Sequence, residues 1–402
     1  MFLVFTVIFV ALVFTYTNGF HDTANAIATI VGTKVLTPRQ AIILATITNL
    51  IGAMIGAAVA KTIASGLVDT NLVPAGFASQ MLICALLAAI FWNLLTWYFG
   101  MPSSSSHALV GGLCGAAFAA AHGNVHAVIW SKAPELGKHW WDGAGVFYKV
   151  IVPMVISPIL GFLIAFIIMA ALYISLQKVR PRTVTKTFSV LQIFSSSYLG
   201  FAHGTNDAQK TMGIIALALV AATKTGTFDG LPGWLDFLKA AEPPPGQTLE
   251  IAFWIKALCA ITMAAGTALG GWRIIKTLGH KLVKLQPVNG FAAETASASV
   301  LLGTALFGMP VSTTHVTTTA IMGVGAAKRF NALKWSVIER IIWAWILTLP
   351  ISAAIAYGLV ELMRLFCRFA FDAEVLKRLA SAGWRGRKWV ARPIKIPAPD
   401  GA

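Results

Sequence analysis

Gly19-Phe20-His21-Asp22-Thr23-Ala24-Asn25-Ala26 interrupts an apolar run near the start of the chain, and Gly204-Thr205-Asn206-Asp207-Ala208-Gln209-Lys210-Thr211 interrupts another near its middle. Each stretch sets a Gly, an Asp and amide or hydroxyl side chains inside otherwise hydrophobic sequence. A carboxylate in the hydrocarbon layer of a membrane costs about 2.5–3.5 kcal/mol on insertion scales, so such groups persist where they do something. Gly beside the polar cluster predicts a helix that unwinds in mid-membrane, which is tolerated where the freed backbone lines a cavity. One copy alone would read equally well as a loop between two short helices with Asp at an N-cap. Two copies, one in each half, favour the broken helix.

The bulk composition agrees with a membrane chain. Of 402 residues, 57% are hydrophobic and 11% charged, with a mean hydropathy of +0.75; a soluble domain carries about 25% charged residues. At about 20 residues per spanning helix there is room for roughly ten membrane segments. The net charge of +16 sits on Lys and Arg in short loops and in the C-terminal tail. That is the pattern of cytoplasmic loops, and nucleic acid is excluded as a partner. Cys84, Cys114, Cys259 and Cys367 are scattered without paired spacing and read as small packing residues. Met1-Phe2-Leu3 opens directly into an apolar run with no basic region or cleavage site, so no removed signal peptide is expected.

A second pair of stretches recurs in the same order. Met101-Pro102-Ser103-Ser104-Ser105-Ser106-His107 and Met309-Pro310-Val311-Ser312-Thr313-Thr314-His315 each precede a Gly- and Ala-rich run. Pro ahead of hydroxyls marks a helix start whose free N–H groups point at something polar. Two motifs recurring in order make an internal duplication. Residues 1–176 are expected to form a first transmembrane repeat, 177–187 a basic cytoplasmic linker, 188–365 a second repeat and 366–402 a basic polar tail. If each hydroxyl stretch is a re-entrant hairpin, a repeat has odd parity and the second is inverted. The loops then placed inside carry 14 Lys and Arg against 6 outside, as the positive-inside rule asks. The tail, with nine Lys and Arg from Arg364 on, falls outside and disagrees with that rule. The expected fold is an all-α polytopic membrane protein of two inverted-topology repeats, with broken helices and re-entrant hydroxyl-rich hairpins, typical of secondary transporters. Trp140-Trp141 is expected at the membrane interface.

Half-helix N-termini with hydroxyls suit an oxyanion such as phosphate or a carboxylate, held by backbone N–H groups and the helix dipole. Ser104, Ser105, Ser106, Ser312, Thr313 and Thr314 are the expected anion-binding set, with Thr23 and Gln209 from the Asp stretches. Helix capping is the other reading of these hydroxyls, although four consecutive Ser exceed what a cap needs. Asp22 and Asp207 face a cation or carry a transported proton, because an unpaired carboxylate beside a bound anion repels it. Asn25 and Asn206 can add amide oxygens to a cation. Lys210 either pairs with Asp207 or reaches the anion. His107 and His315 buttress the hydroxyl turns, and no metal site is expected there. Glu294, in an apolar segment, is either a third coupling carboxylate or a residue near the cytoplasmic mouth. A cation channel or exchanger would not need the hydroxyls. A membrane enzyme would need an orienting acid beside Ser106 and His107, and the nearby sequence has none.

Asn18-Gly19-Phe20-His21-Asp22-Thr23-Ala24-Asn25-Ala26, taken with His203-Gly204-Thr205-Asn206-Asp207-Ala208-Gln209-Lys210, resembles the duplicated signature of the Pit-type inorganic phosphate transporters. Met309 to His315 and Ala344-Trp345-Ile346-Leu347-Thr348-Leu349-Pro350 resemble that family too, and the likeness covers about residues 5–365. The resemblance implies a symporter, not an enzyme, in a bacterial cytoplasmic (inner) membrane. It would take up inorganic phosphate with protons or sodium, often as a neutral metal–phosphate complex in bacterial members, with arsenate as an adventitious substrate. It implies no bound cofactor; the partners are phosphate, a coupling cation and the lipid bilayer, and homodimerisation is left open. His21 stands where the signature usually has Asn, as in the bacterial branch. That removes an amide oxygen able to coordinate sodium, and an imidazole, which ordinarily titrates near neutral pH, can share a proton with Asp22. Proton coupling is therefore expected, with sodium as the alternative. The first helix is short for the family, and the tail beyond about Phe366 matches nothing in it.

Overall fold

The computed structural model describes residues 1–381 apart from 75, 135–138, 140–142, 242–249, 330 and 332. Trp140, Trp141 and the tail from 382 on lie outside the described residues. Six helices are followed by six more in the same order. The first set is α1 (Phe2–Gly32), α2 (Pro38–Ala53), α3 (Ala58–Ser65), α4 (Ala78–Phe99), α5 (Ser105–Ala120) and α6 (Val152–Ser175). The second is α7 (Pro181–Lys224), α8 (Phe253–Leu269), α9 (Trp272–Lys276), α10 (Pro287–Leu306), α11 (Thr313–Lys328) and α12 (Trp335–Ser381). Met1–Val360 is one compact unit holding both sets; Glu361–Ala402 is a second, whose described part is the end of α12.

The polarity of the first unit is inside out. Ile43, Ile47 and Ile51 form an exposed stripe along α2, while Ala41, Ala45, Asn49 and Gly52 on the opposite stripe are buried. Spacings of four and three keep each set on one face of the helix. Ile167, Ile174, Phe194 and Leu306 are likewise exposed, and Asp22, Asp207, Lys210 and Glu294 are buried. Lipid is the solvent that makes this pattern stable. Among the described residues, four stretches are long and apolar enough to cross a membrane: Phe2–Gly32, Ala78–Phe99, Phe147–Ser175 and Trp335–Phe366. Two bent pairs pass as well, Pro38–Ala53 with Ala58–Ala64 and Phe253–Leu269 with Trp272–Gly279.

These pairs correct the place of the helix breaks. The breaks were expected at the two Asp stretches, yet α1 and α7 remain helical through both. The chain bends one element later in each half, by 67° between α2 and α3 and by 57° between α8 and α9. The physical reason lies in the glycines. A Cβ on Gly19 would stand 2.6 Å from the Met263 carbonyl of α8, and one on Gly204 would collide with the Asn49 carbonyl of α2. They are close-approach points between helices of opposite halves, where small residues let backbones pack in lipid. The polar side chains of the motifs meet partner side chains, so the backbone need not open to serve them. At the α2–α3 break, where Gly56 has φ +86, the freed N–H groups are met from α7. Gln209 Oε1 accepts from Val59 N at 2.8 Å and from Ala60 N at 3.4 Å.

The two halves interlock. α1 packs on α8 and α7 on α2; α6 packs on α11. Gly111 and Gly115 of α5 face the Leu349 and Ala353 carbonyls of α12, the mirror of the α6–α11 contact. Gly115→Ala is expected to force the Ala353 backbone away and to destabilise by about 1–3 kcal/mol, the usual cost of overpacking. Gly303→Ala, where an added Cβ meets nothing within 4 Å, is expected to be neutral or slightly stabilising. Thermal unfolding of both variants in detergent, followed by size-exclusion chromatography, checks the contrast.

Candidate functional site

The two hydroxyl stretches fold alike because Pro holds the chain extended ahead of each helix. Ser104 (φ −105, ψ 108) and Ser312 (φ −85, ψ 110) take the extended N-cap conformation of α5 and α11. Ser104 Oγ accepts from His107 N at 3.2 Å, and Ser312 Oγ from His315 N at 3.2 Å. These two hydroxyls therefore cap, which is the second of the two readings open from sequence. The hydroxyls after them point onward from the first turn of each helix. The two helix starts meet end to end: the His107 and His315 rings pack edge to face with centres 4.7 Å apart, and Ser106 Oγ donates to the Val311 carbonyl at 3.1 Å. Trp345 braces the junction, stacking on His315 at 4.0 Å and donating Nε1 to the Pro102 carbonyl at 3.1 Å. The His107 and His315 rings pack at the turns, but both ring nitrogens of His107 and Nε2 of His315 make no hydrogen bond there.

Both Asp residues arrive at this junction. Asp22 lies on α1, where His21 Nδ1 is 2.6 Å from its Oδ1 and Thr314 Oγ1 is 3.5 Å from the same oxygen. Asn25, one turn on, donates to Thr314 Oγ1 at 2.9 Å and to Thr313 Oγ1 at 3.4 Å. Asp207 lies on α7, ion-paired with Lys210 and 3.2 Å from His203 Nε2; Thr313 Oγ1 donates to its Oδ2 at 3.3 Å. Lys210 also donates to Ser106 Oγ, so the single ammonium both pairs with Asp207 and reaches the hydroxyl hairpin. Ligand atoms of Asp22, His203 and Asp207 all lie within 4.8 Å of one another. Two carboxylates and one ammonium are thus gathered at one buried point.

The remaining predicted residues take other places. Thr23 Oγ1 donates to the Gly19 carbonyl of its own helix, with the Thr267 carbonyl 3.4 Å away. Gln209 caps α3, as described above. Glu294 is buried away from the Asp pair, where Thr29 (2.6 Å), Gln192 (2.9 Å) and Ser195 (2.5 Å) all donate to it. Ser105 Oγ and both amide atoms of Asn206 are buried without a hydrogen-bond partner. Buried polar groups are ordinarily paired, and both ring nitrogens of His107 and Nε2 of His315 at the junction are unpaired as well.

His203 was not among the expected site residues, although its spacing of four from Asp207 on one helix face was there to be read. Its Nδ1 meets Asn49 Oδ1 at 2.8 Å, which orients the ring so that Nε2 faces Asp207. Thr96 and Ser103 were also missed; no local signal marks Thr96, whereas Ser103 stands in the hydroxyl stretch ahead of the expected set. They extend a chain from His21 Nε2 to Thr96 Oγ1 (3.1 Å), with Ser103 Oγ donating to Thr96 Oγ1 at 2.7 Å.

Comparison with known proteins identifies the family. The model of the "Phosphate transporter family" matches residues 18–356. A "Probable low-affinity inorganic phosphate transporter" of Bacillus subtilis (strain 168) is 41% identical over 366 residues, covering 90% of this chain and 98% of the relative. One of Mycobacterium bovis (strain ATCC BAA-935 / AF2122/97) is 43% identical, covering 96% and 84%. One of Rhizobium meliloti (strain 1021) is 39% identical, covering 90% and 95%. The solved structure titled "The sodium-dependent phosphate transporter" shares the fold, with a TM-score of 0.74 at 24% identity over 91% of this chain and all of that one. The matching family and these relatives are transporters, not enzymes, and this chain belongs to the phosphate transporter family.

Proposed function

We propose that this protein is a symporter that carries inorganic phosphate into a bacterial cell across the cytoplasmic membrane, driven by protons. The observation that carries the reading is the end-to-end meeting of the α5 and α11 N-termini, with Asp22 and Asp207 beside it. Two helix N-termini offer unpaired N–H groups and positive dipole ends to a single anion. Ser105 Oγ, unpartnered here, is a ready hydroxyl donor; Ser106, Thr313 and Thr314 become donors to the anion on releasing Val311, Asp207 and Asp22, and Lys210 adds a full positive charge. The proton is held between His21 and Asp22, whose 2.6 Å contact continues through Thr96 to Ser103. Sodium is the second reading. It is favoured by the unpartnered Asn206 amide beside the Asp22–His203–Asp207 cluster, since amide and carboxylate oxygens together suit a hard cation. Arsenate, with the shape and charge of phosphate, shares the site. A divalent metal–phosphate complex as the carried species fits the same pair of carboxylates.

Asp22→Asn and Asp207→Asn are each expected to abolish concentrative phosphate uptake in proteoliposomes while remaining monodisperse in detergent. Accumulation at the parent level by either variant removes that residue from coupling.

Loss of one hydrogen bond to a charged group costs about 1.5–3 kcal/mol. Ser105→Ala and Thr313→Ala are thus expected to weaken phosphate affinity by about ten-fold or more. Arsenate competes with labelled phosphate, and sulfate, with no proton to donate, competes poorly. Equilibrium binding to the purified variants measures this directly.

Uptake is expected to proceed in sodium-free buffer with an imposed pH gradient, to collapse with a protonophore, and to change its pH profile in His21→Asn. Strict sodium dependence at constant pH, with no response to a proton gradient, selects the second reading instead.

A further inference from the structure

Lys61-Thr62-Ile63 in α3 and Lys276-Thr277-Leu278 at the end of α9 occupy matching places, each in the short piece that follows the break of a bent pair. Each Thr reaches across to the other half. Thr62 Oγ1 donates to the Gly308 carbonyl at 2.7 Å, and Thr277 Oγ1 donates to the Gly100 carbonyl at 3.0 Å.

Those two glycines are themselves equivalent. Gly100 (φ +65) ends α4 and Gly308 (φ +63) ends α10, four residues ahead of the capping Ser104 and Ser312. The same two bonds close each turn. Gly100 N donates to Trp97 O at 2.9 Å and Met101 N to Thr96 O at 2.9 Å; Gly308 N donates to Ala305 O at 3.1 Å and Met309 N to Thr304 O at 3.0 Å. This is the Schellman ending, which needs a left-handed residue. The Gly carbonyl has no part in it, and that carbonyl is the atom each Thr takes.

A hydroxyl has one proton to give. Both threonines have a second acceptor one turn back in their own helix: Ala58 O for Thr62 and Arg273 O for Thr277, each at 3.3 Å. Back-bonding to the carbonyl four residues earlier is an ordinary resting place for a helical Thr. The hydroxyl can therefore let go of the hairpin without leaving an unpaired donor. What distinguishes the two contacts is their second support. Arg273 donates to the Tyr98 carbonyl at 2.5 Å and lies 4.8 Å and 5.1 Å from the Tyr98 and Trp97 ring centres. At the other hairpin, Lys149 Nζ donates to the Phe307 carbonyl at 3.4 Å.

We propose that Thr62 and Thr277 are positioning residues of the transport cycle, a matched pair of latches that each hold the other half's hydroxyl hairpin at the central site. They release one at a time. Equivalent elements of inverted repeats lie on opposite sides of the mid-membrane site, so loss of Thr62–Gly308 opens it to one face and loss of Thr277–Gly100 to the other. In this structure both latches are made, and Ser105 and Thr313 are shut off at 1% exposure each. The assignment rests on the transport reading above.

The test uses the full chain in membrane vesicles, with native cysteines replaced and a single reporter, Met101→Cys or Met309→Cys, beside each latch glycine. A membrane-impermeant maleimide is added to either face in the absence of phosphate. Thr62→Val is expected to raise labelling of the Met309→Cys reporter from one face by about three- to ten-fold, what one neutral hydrogen bond is worth, and to leave the Met101→Cys reporter unchanged. Thr277→Val is expected to do the converse from the opposite face. Thr62→Ser and Thr277→Ser, which keep the hydroxyl, are expected to label like the parent. Reporters that stay at the parent rate, or that rise together in either variant, overturn the proposal. Thr62→Ala and Thr277→Ala replace any valine variant that is not monodisperse. Because labelling is read without substrate, its failure leaves the phosphate reading standing, and failed phosphate uptake by the parent counts against that reading and not against the labelling result.

Discussion

Two helix N-termini point at each other inside a low-dielectric layer, and the rest of the structure follows from keeping them there. Each carries roughly half a positive charge and up to four unpaired N–H groups. Like ends repel, and burial removes the water that would screen them. Ser104 and Ser312 satisfy one N–H each. Asp22 and Asp207 stand beside the junction with their charges, linked to it through Thr314 and Thr313. Lys210 then returns positive charge to the same spot through Ser106. The result is a junction where helix N-termini, two carboxylates and one ammonium are held within a few ångströms of one another.

Holding two such ends together requires each half to be gripped by the other. Gly19 lies against α8 and Gly204 against α2, and Gly115 lets α5 close onto α12. In lipid no hydrophobic force draws helices together, so this small-residue packing supplies contact that larger side chains would prevent. Gln209 shows the same economy for polar groups: a side chain of α7 caps α3, across the boundary between the halves.

Glu294 is tied to the site differently. Its three donors include Thr29 of α1, seven residues beyond Asp22 and so roughly 10 Å along the helix. The carboxylate does not touch the central junction. Its other donors, Gln192 and Ser195, lie on α7, so the carboxylate ties together the two helices that carry Asp22 and Asp207.

Much of this was legible in the sequence. Apolar runs gave the helices, recurrence of the Asp and hydroxyl stretches gave the duplication, and Pro followed by hydroxyls located the helix N-termini that meet at the candidate site. Those signals are local, because backbone capping and burial of charge are constraints a short segment cannot evade. What only the tertiary structure decided is long-range. The helix breaks moved from Gly19 and Gly204 to the segments after α2 and α8, since a glycine beside polar residues serves close packing as readily as unwinding. Ser104 and Ser312 became caps while Ser105 and Thr313 turned inward, a division that depends on where the opposite hairpin lies. His203 entered and Gln209 turned to α3 because Asn49 and Val59, more than 140 residues away in the chain, stand where they can be met. A side chain's partner is set by which helices touch, and no local spacing encodes that.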